Sequence, residues 1–107
     1  MVRTVMTAVA LILVVISGGV RAAGHEVEQK DKTFSVATLT IQPGDNIVFV
    51  NHDQITHNVF STAKGNEFNL RAQAPGTSAA VTLAAEGTVE IRCAFHPKMR
   101  LVVTVTK

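Results

Sequence analysis

Cys93, His96 and Met99 stand at C-x2-H-x2-M spacing within Val89-Glu90-Ile91-Arg92-Cys93-Ala94-Phe95-His96-Pro97-Lys98-Met99. That spacing lets one tight loop aim a thiolate, an imidazole and a thioether at a common point. All three are borderline-to-soft donors, and a His2Cys trigonal set with a long, weak axial Met is the arrangement that copper uses for electron transfer. A second imidazole must come from a distant part of the chain. His57, which follows a polar loop and precedes Asn58, is the candidate. Zinc takes Cys, His and carboxylate donors, so the thioether favours copper over a structural zinc. An enzyme can be drawn from the same residues, with Cys93 as nucleophile and His57 or His96 as base. It leaves Met99 idle, finds no evident Asp or Asn to orient the base, and has little room for a substrate cleft.

Each residue has a plainer reading when taken alone. A single buried Cys is usually an inert small hydrophobe, and a single Met is usually core filler. Their joint spacing, with His96 between them and His57 elsewhere, departs from that default. His25 and His52 carry no such pattern and read as solvated surface histidines, although a free Ala23-Gly24-His25 terminus could hold Cu(II) weakly. Lys98 and Arg100 flank Met99 as a charged rim; beside the exposed edge of His96 they would favour an acidic docking partner.

The elements that must position these groups are strands. Apolar residues recur at period two, and no stretch of helical length repeats at 3.6. Thr33 to Ile41 is rich in β-branched residues and runs into the turn Gln42-Pro43-Gly44-Asp45. Ile47 to Asn51 forms the next strand, a polar loop covers His52 to Thr56, and His57 to Phe60 resumes an extended pattern. A long loop from Ser61 to Ser78, with room for an irregular or helical turn, precedes strands at Ala79 to Leu83, Thr88 to Cys93 and Leu101 to Thr106. Five to seven short strands with Gly and Pro turns imply an all-β fold, an antiparallel sandwich or Greek-key barrel. Alternation places Val89, Ile91 and Cys93 on one face and Glu90 and Arg92 on the other, so the thiol points inward.

The chain has 107 residues, 47% hydrophobic and 17% charged, with one Cys and no Trp or Tyr. No internal disulfide can form. The mean hydropathy of +0.27 and the pI near 9.0 owe much to the first 22 residues. There Arg3 precedes the apolar run Ala8 to Ile16, and Ser17-Gly18-Gly19 leads to Val20-Arg21-Ala22, a small-residue cleavage pattern. Residues 1–22 read as a secretory signal peptide and 23–107 as the mature domain. A membrane anchor needs about 20 predominantly apolar residues, and Gly18, Gly19 and Arg21 interrupt this run. Ten Lys and Arg, less Arg3 and Arg21, leave eight against eight Asp and Glu. A neutral mature domain without a basic, aromatic-interleaved stretch gives nucleic-acid binding no support. A lone thiol in an oxidising compartment is a liability unless buried or engaged.

In these residues the chain resembles the cupredoxins, most closely the amicyanin and plastocyanin group of small blue copper proteins. The resemblance covers nearly all of the mature chain. It is carried by Pro43-Gly44-Asp45 leading into Ile47 to Asn51, by His57-Asn58-Val59, by Ala85-Glu86-Gly87-Thr88, and by the short final loop Cys93-x-x-His96-Pro97-x-Met99. It implies a Greek-key β-sandwich of about seven to eight strands and one copper per chain, ligated by His57 Nδ1, Cys93 Sγ and His96 Nδ1 with Met99 Sδ axial. It implies that Asn58 ties the two ligand loops together. Two departures stand out: Phe95 occupies a position where Pro is common, and Leu101 one where Gly is usual. The implied function is a monomeric, non-enzymatic carrier of single electrons between redox proteins that dock near His96. The implied location is the periplasm or another extracytoplasmic space, without stable membrane insertion after cleavage. The alternative is a copper carriage or storage module, which would expose its donors on mobile, Met-rich or His-rich chain. Of the three Met, Met1 and Met6 fall in the signal segment, so that compositional sign is missing.

Overall fold

A computed structural model describes residues 23–107; the expected signal segment, 1–22, lies outside the described residues. Nine strands follow in order: β1 (Gly24–Lys30), β2 (Thr33–Phe34), β3 (Thr38–Ile41), β4 (Asn46–Asn51), β5 (Phe60–Ser61), β6 (Phe68–Asn69), β7 (Ser78–Thr82), β8 (Gly87–Arg92) and β9 (Arg100–Val105). They form two sheets, ordered β2-β1-β4-β7 and β3-β9-β8-β5-β6. The alternation in each strand sends one face inward: Ile47, Phe49 and Asn51 of β4, Val89 and Ile91 of β8, and Leu101, Val103 and Val105 of β9 are all buried. The inner faces of two such sheets cover each other, which makes the fold a β-sandwich. Phe49 is fully buried and lies edge-on to Phe34, with centroids 6.1 Å apart, and stacked on Phe68 at 6.3 Å.

The sandwich is not wholly antiparallel. β1 runs parallel to β4 and β3 parallel to β9, so each sheet is mixed. Period-two patterning is the same for both ladder types, which is why the sequence alone does not separate them. The run Thr33 to Ile41 also does not form one strand. It breaks at Ser35–Ala37, and its halves, β2 and β3, join different sheets. Strand β1 has no apolar alternation: in His-Glu-Val-Glu-Gln-Lys only Val27 and Gln29 are buried, and its six-pair register with β4 holds it. The long loop 61–78 contains the short strand β6 and a turn at Lys64-Gly65, with no helix among its residues.

β1 and β2 are joined by a two-residue turn in which Asp31 (φ 54°) and Lys32 (φ 59°) are both left-handed. Positive φ at both central residues is the geometry that matches the strand twist in a tight hairpin. For non-glycine residues it costs about 1–2 kcal/mol each. The N–H groups this conformation exposes are taken up by Asp53: Asp31 N donates to Oδ1 at 2.7 Å and Lys32 N to Oδ2 at 2.9 Å.

Candidate metal centre

Loop 93–99 closes the β8–β9 hairpin, whose last register pair is Arg92↔Arg100. Because Val89 and Ile91 face the core, Cys93 continues onto the same side and is 2% exposed, the only cysteine and a free thiol. At the other end of the loop Met99 is 1% exposed and its N–H donates to His96 O at 2.9 Å, a turn that folds the loop back on itself. Outside the hairpin, Arg92 Nη2 donates to Pro97 O at 2.6 Å, and Glu90 bridges Arg92 and Arg100. The Arg100 hydrogen bond is the main cause holding the Glu90 carboxyl below its usual pKa.

His57 comes from the loop between β4 and β5 and is fully buried. Its backbone is pinned to Gln73 by a two-way bridge, His57 N to Gln73 O at 3.0 Å and Gln73 N to His57 O at 2.6 Å. Gln73 is itself held by its side chain, which donates to Phe49 O at 2.8 Å and accepts from Gln29 Nε2 at 2.8 Å. The ring is set by Asp53, whose Oδ2 lies 2.6 Å from His57 Nε2. A carboxylate only accepts, so Nε2 carries the proton and Nδ1 keeps a free lone pair. Nδ1 points to Cys93 Sγ, 3.9 Å away. Burial alone would raise the Asp53 pKa; hydrogen bonds from the His57 ring and from the Lys32 and Asp31 amides outweigh it and bring it down to about 2.

Asn58 joins the two loops. Its N–H donates to Cys93 Sγ at 3.3 Å and its Oδ1 accepts from Ala94 N at 3.1 Å, while its Nδ2 donates to Asn69 Oδ1 and Arg71 O. An N–H aimed at the sulfur stabilises its thiolate and restrains its position. His96 sits at the rim, partly exposed, with its ring edge-on to that of His57 at a centroid distance of 5.1 Å. Phe95 beside it is 55% exposed and shares a shallow depression with His96, Pro97, Lys98 and Asp31 to Thr33.

The structure therefore brings Cys93 and His57 into direct contact, sets His96 against the His57 ring, and buries Met99 at the far end of the same loop. Two buried borderline-to-soft donors, one with a free Nδ1, together with a thioether and a rim imidazole, fit copper. Asp53 went unseen in the sequence, where no acidic group was placed to orient a histidine; its position four residues before His57 was the available signal. This removes one objection to a Cys–His enzyme, although both Cys93 and His57 are buried. His52 is exposed as expected, and its donor atom gathers with those of Glu26 and Glu28 within 4.8 Å on the solvent side of β1. His25 is only partly exposed, because it pairs with Asp45 at 3.1 Å.

The model of the copper-binding plastocyanin/azurin family matches residues 22–106. The methylamine utilization protein MauL of Methylorubrum extorquens is 37% identical over 78 residues, which is 72% of this chain and 64% of that protein. The chain spans less than two thirds of the length of the MauL relatives it matches. A variant of amicyanin in its reduced state superposes with a TM-score of 0.68 at 26% identity, over 77% of this chain and 81% of that one. A purple cupredoxin from Nitrosopumilus maritimus gives a TM-score of 0.68 at 22% identity, over 77% of this chain and 99% of that one. With two packed sheets and a soft-donor loop at one end, the chain belongs to the copper-binding plastocyanin/azurin family, as a cupredoxin that takes one copper per chain.

Proposed function

We propose that this protein is an exported carrier of single electrons, with its copper held by His57, Cys93 and His96 and by Met99 as a weak fourth donor. Bound there, copper supplies a one-electron couple. The chain's own residues do the rest. Asp53 fixes the His57 tautomer, the Asn58 amide restrains the Cys93 sulfur, and the Gln73 bridge and the β8–β9 hairpin hold both loops on rigid strands. Ligands held this way change little between oxidation states, which limits the reorganisation that slows electron transfer. The observation that carries the reading is the asymmetry of the site: Cys93, His57 and Met99 are 2%, 0% and 1% exposed, and only His96 reaches the surface. An electron then has one short exit, the His96 ring edge.

The exposed Phe95 and Pro97 around His96 provide an apolar contact for a redox partner, and Lys32, Lys98 and Arg100 favour an acidic one. A copper-delivery role is disfavoured, since delivery needs donors on accessible, mobile chain. Residues 1–22 act as a cleaved signal peptide, so the domain works in the periplasm or an equivalent compartment. Among the described residues no helix is long and apolar enough to cross a membrane. The reading includes no catalysed reaction.

The test is the visible and EPR spectrum of residues 23–107 with one equivalent of Cu(II). An intense thiolate-to-copper band and narrow copper hyperfine splitting are expected, and both should vanish in Cys93→Ser. A pale, broad signal from the wild-type protein, or unchanged colour in Cys93→Ser, overturns the assignment.

A further inference from the structure

At the start of β4, the end of that strand away from His57, Asp45 is a carboxylate only 5% exposed. It accepts three hydrogen bonds: from Ala23 N to Oδ1 at 2.9 Å, from Gln42 N to Oδ2 at 2.9 Å, and from His25 Nε2 to Oδ2 at 3.1 Å. Those from the Gln42 and Ala23 amides, followed by that of His25, hold its pKa below the usual carboxylate range. Ala23 is fixed from its other side too. Its carbonyl accepts from Asn46 N at 2.9 Å, and Gly24 then pairs with Asn46 in the β1–β4 ladder. Lys107, which borders the same depression, is directed to Glu86 at 3.8 Å.

A nearly buried carboxylate thus faces two main-chain amides and an imidazole, and one of those amides is the first atom after the expected cleavage point. We infer that cleavage between Ala22 and Ala23 turns this amide into an α-ammonium that pairs with Asp45, so that removing residues 1–22 strengthens the fold it leaves behind. The inference rests on the signal-peptide reading. In the step, a leader peptidase and water hydrolyse the Ala22–Ala23 bond: the carboxylate stays on Ala22, and the amine on Ala23 takes up a proton at neutral pH. The nitrogen does not need to move, since it already lies at 2.9 Å from Oδ1. Only its charge changes: a hydrogen bond charged on the acceptor alone becomes an ammonium–carboxylate pair charged on both sides, and it strengthens accordingly. The attraction of a new cation also offsets part of the cost of burying the carboxylate. The pair has a second effect: it engages the α-amine and His25, the groups a weak Cu(II) site at Ala23-Gly24-His25 would require.

The experiment has two readouts. The full chain is expressed with export, and the intact mass of the exported protein identifies its first residue, expected to be Ala23. Its thermal unfolding is then compared with that of a form carrying one extra Gly before Ala23, which keeps the Ala23 N–H and moves the charge away. The extended form should melt about 4–8 °C lower, the shift that a modest stability loss produces in a domain of this size. In Asp45→Asn the extension should cost nothing further. If Asp45→Asn does not fold, selective α-acetylation of the exported wild-type protein removes the charge without touching a side chain and should give the same lowering. A first residue other than Ala23 overturns the signal reading and the pair with it. A first residue of Ala23 with unfolding temperatures equal within about 1 °C overturns the pair alone.

Discussion

Removing the Asp53 carboxylate perturbs the metal centre at one atom while leaving every proposed donor in place. In Asp53→Ala, Nε2–H of the fully buried His57 ring loses its acceptor at 2.6 Å. An unsatisfied buried donor costs about 1–3 kcal/mol. The Asp31 and Lys32 amides lose theirs too, but they lie at an exposed turn where water replaces the carboxylate. The ring can escape the penalty by rotating or by moving its proton to Nδ1, and either change withdraws the lone pair that faces Cys93. Loss of an outer partner of a histidine ligand weakens metal binding roughly 10–100-fold. That is about 1.4–2.8 kcal/mol at 1.4 kcal/mol per tenfold. Asp53→Asn keeps an acceptor oxygen and should fall between wild type and Asp53→Ala. The assay is competition for Cu(I) against a chromophoric chelator, with circular dichroism to confirm that the sandwich is intact. A Cu(I) affinity for folded Asp53→Ala within twofold of wild type would refute the claim that Asp53 sets the tautomer.

Met99→Leu should keep copper and the blue band while raising the reduction potential, since loss of the weak thioether disfavours Cu(II); cyclic voltammetry reads this, and an unchanged or lowered potential counts against Met99 as a donor. Phe49→Ala should destabilise the apoprotein by about 3–5 kcal/mol, because the ring bridges Phe34 and Phe68 in the core; urea unfolding measures it. Lys32→Gly should raise the unfolding temperature, since glycine accepts the φ of 59° without strain and keeps the amide that donates to Asp53. Acid should weaken the apoprotein: Asp53 titrates at about 2 when folded against 3.8 for its ordinary value. The folded state then binds fewer protons between those values, so its contribution is complete above about pH 5 and lost progressively as pH falls toward 2. Asp45, also lowered, acts in the same direction. Urea midpoints at pH 5, 4 and 3 should fall in that order, and Asp53→Asn should flatten the decline.

The sequence determined what is local. Spacing alone put a thiolate, an imidazole and a thioether on one loop, and alternation through Val89 and Ile91 determined that Cys93 faces inward, because a strand's period of two leaves no other choice. It also exposed the strong strands β4, β7, β8 and β9, each carrying its own apolar face. Tertiary structure decided what depends on a partner. β1 has one buried apolar residue and is a strand because β4 offers it a ladder. Thr33 to Ile41 divides between two sheets, and the parallel pairs have the same periodicity as antiparallel ones. Asp53 looked like part of a solvated loop and became the anchor of His57 once a left-handed turn 21 residues earlier brought two amides against it. The meeting of His57 with Cys93, 36 residues apart, rests on Gln73 and Asn58, buried polar groups whose sequence neighbours do not reveal their partners. A hydrophobic pattern reports which face of a segment seeks the core; which polar groups satisfy one another inside is settled only when the segments meet.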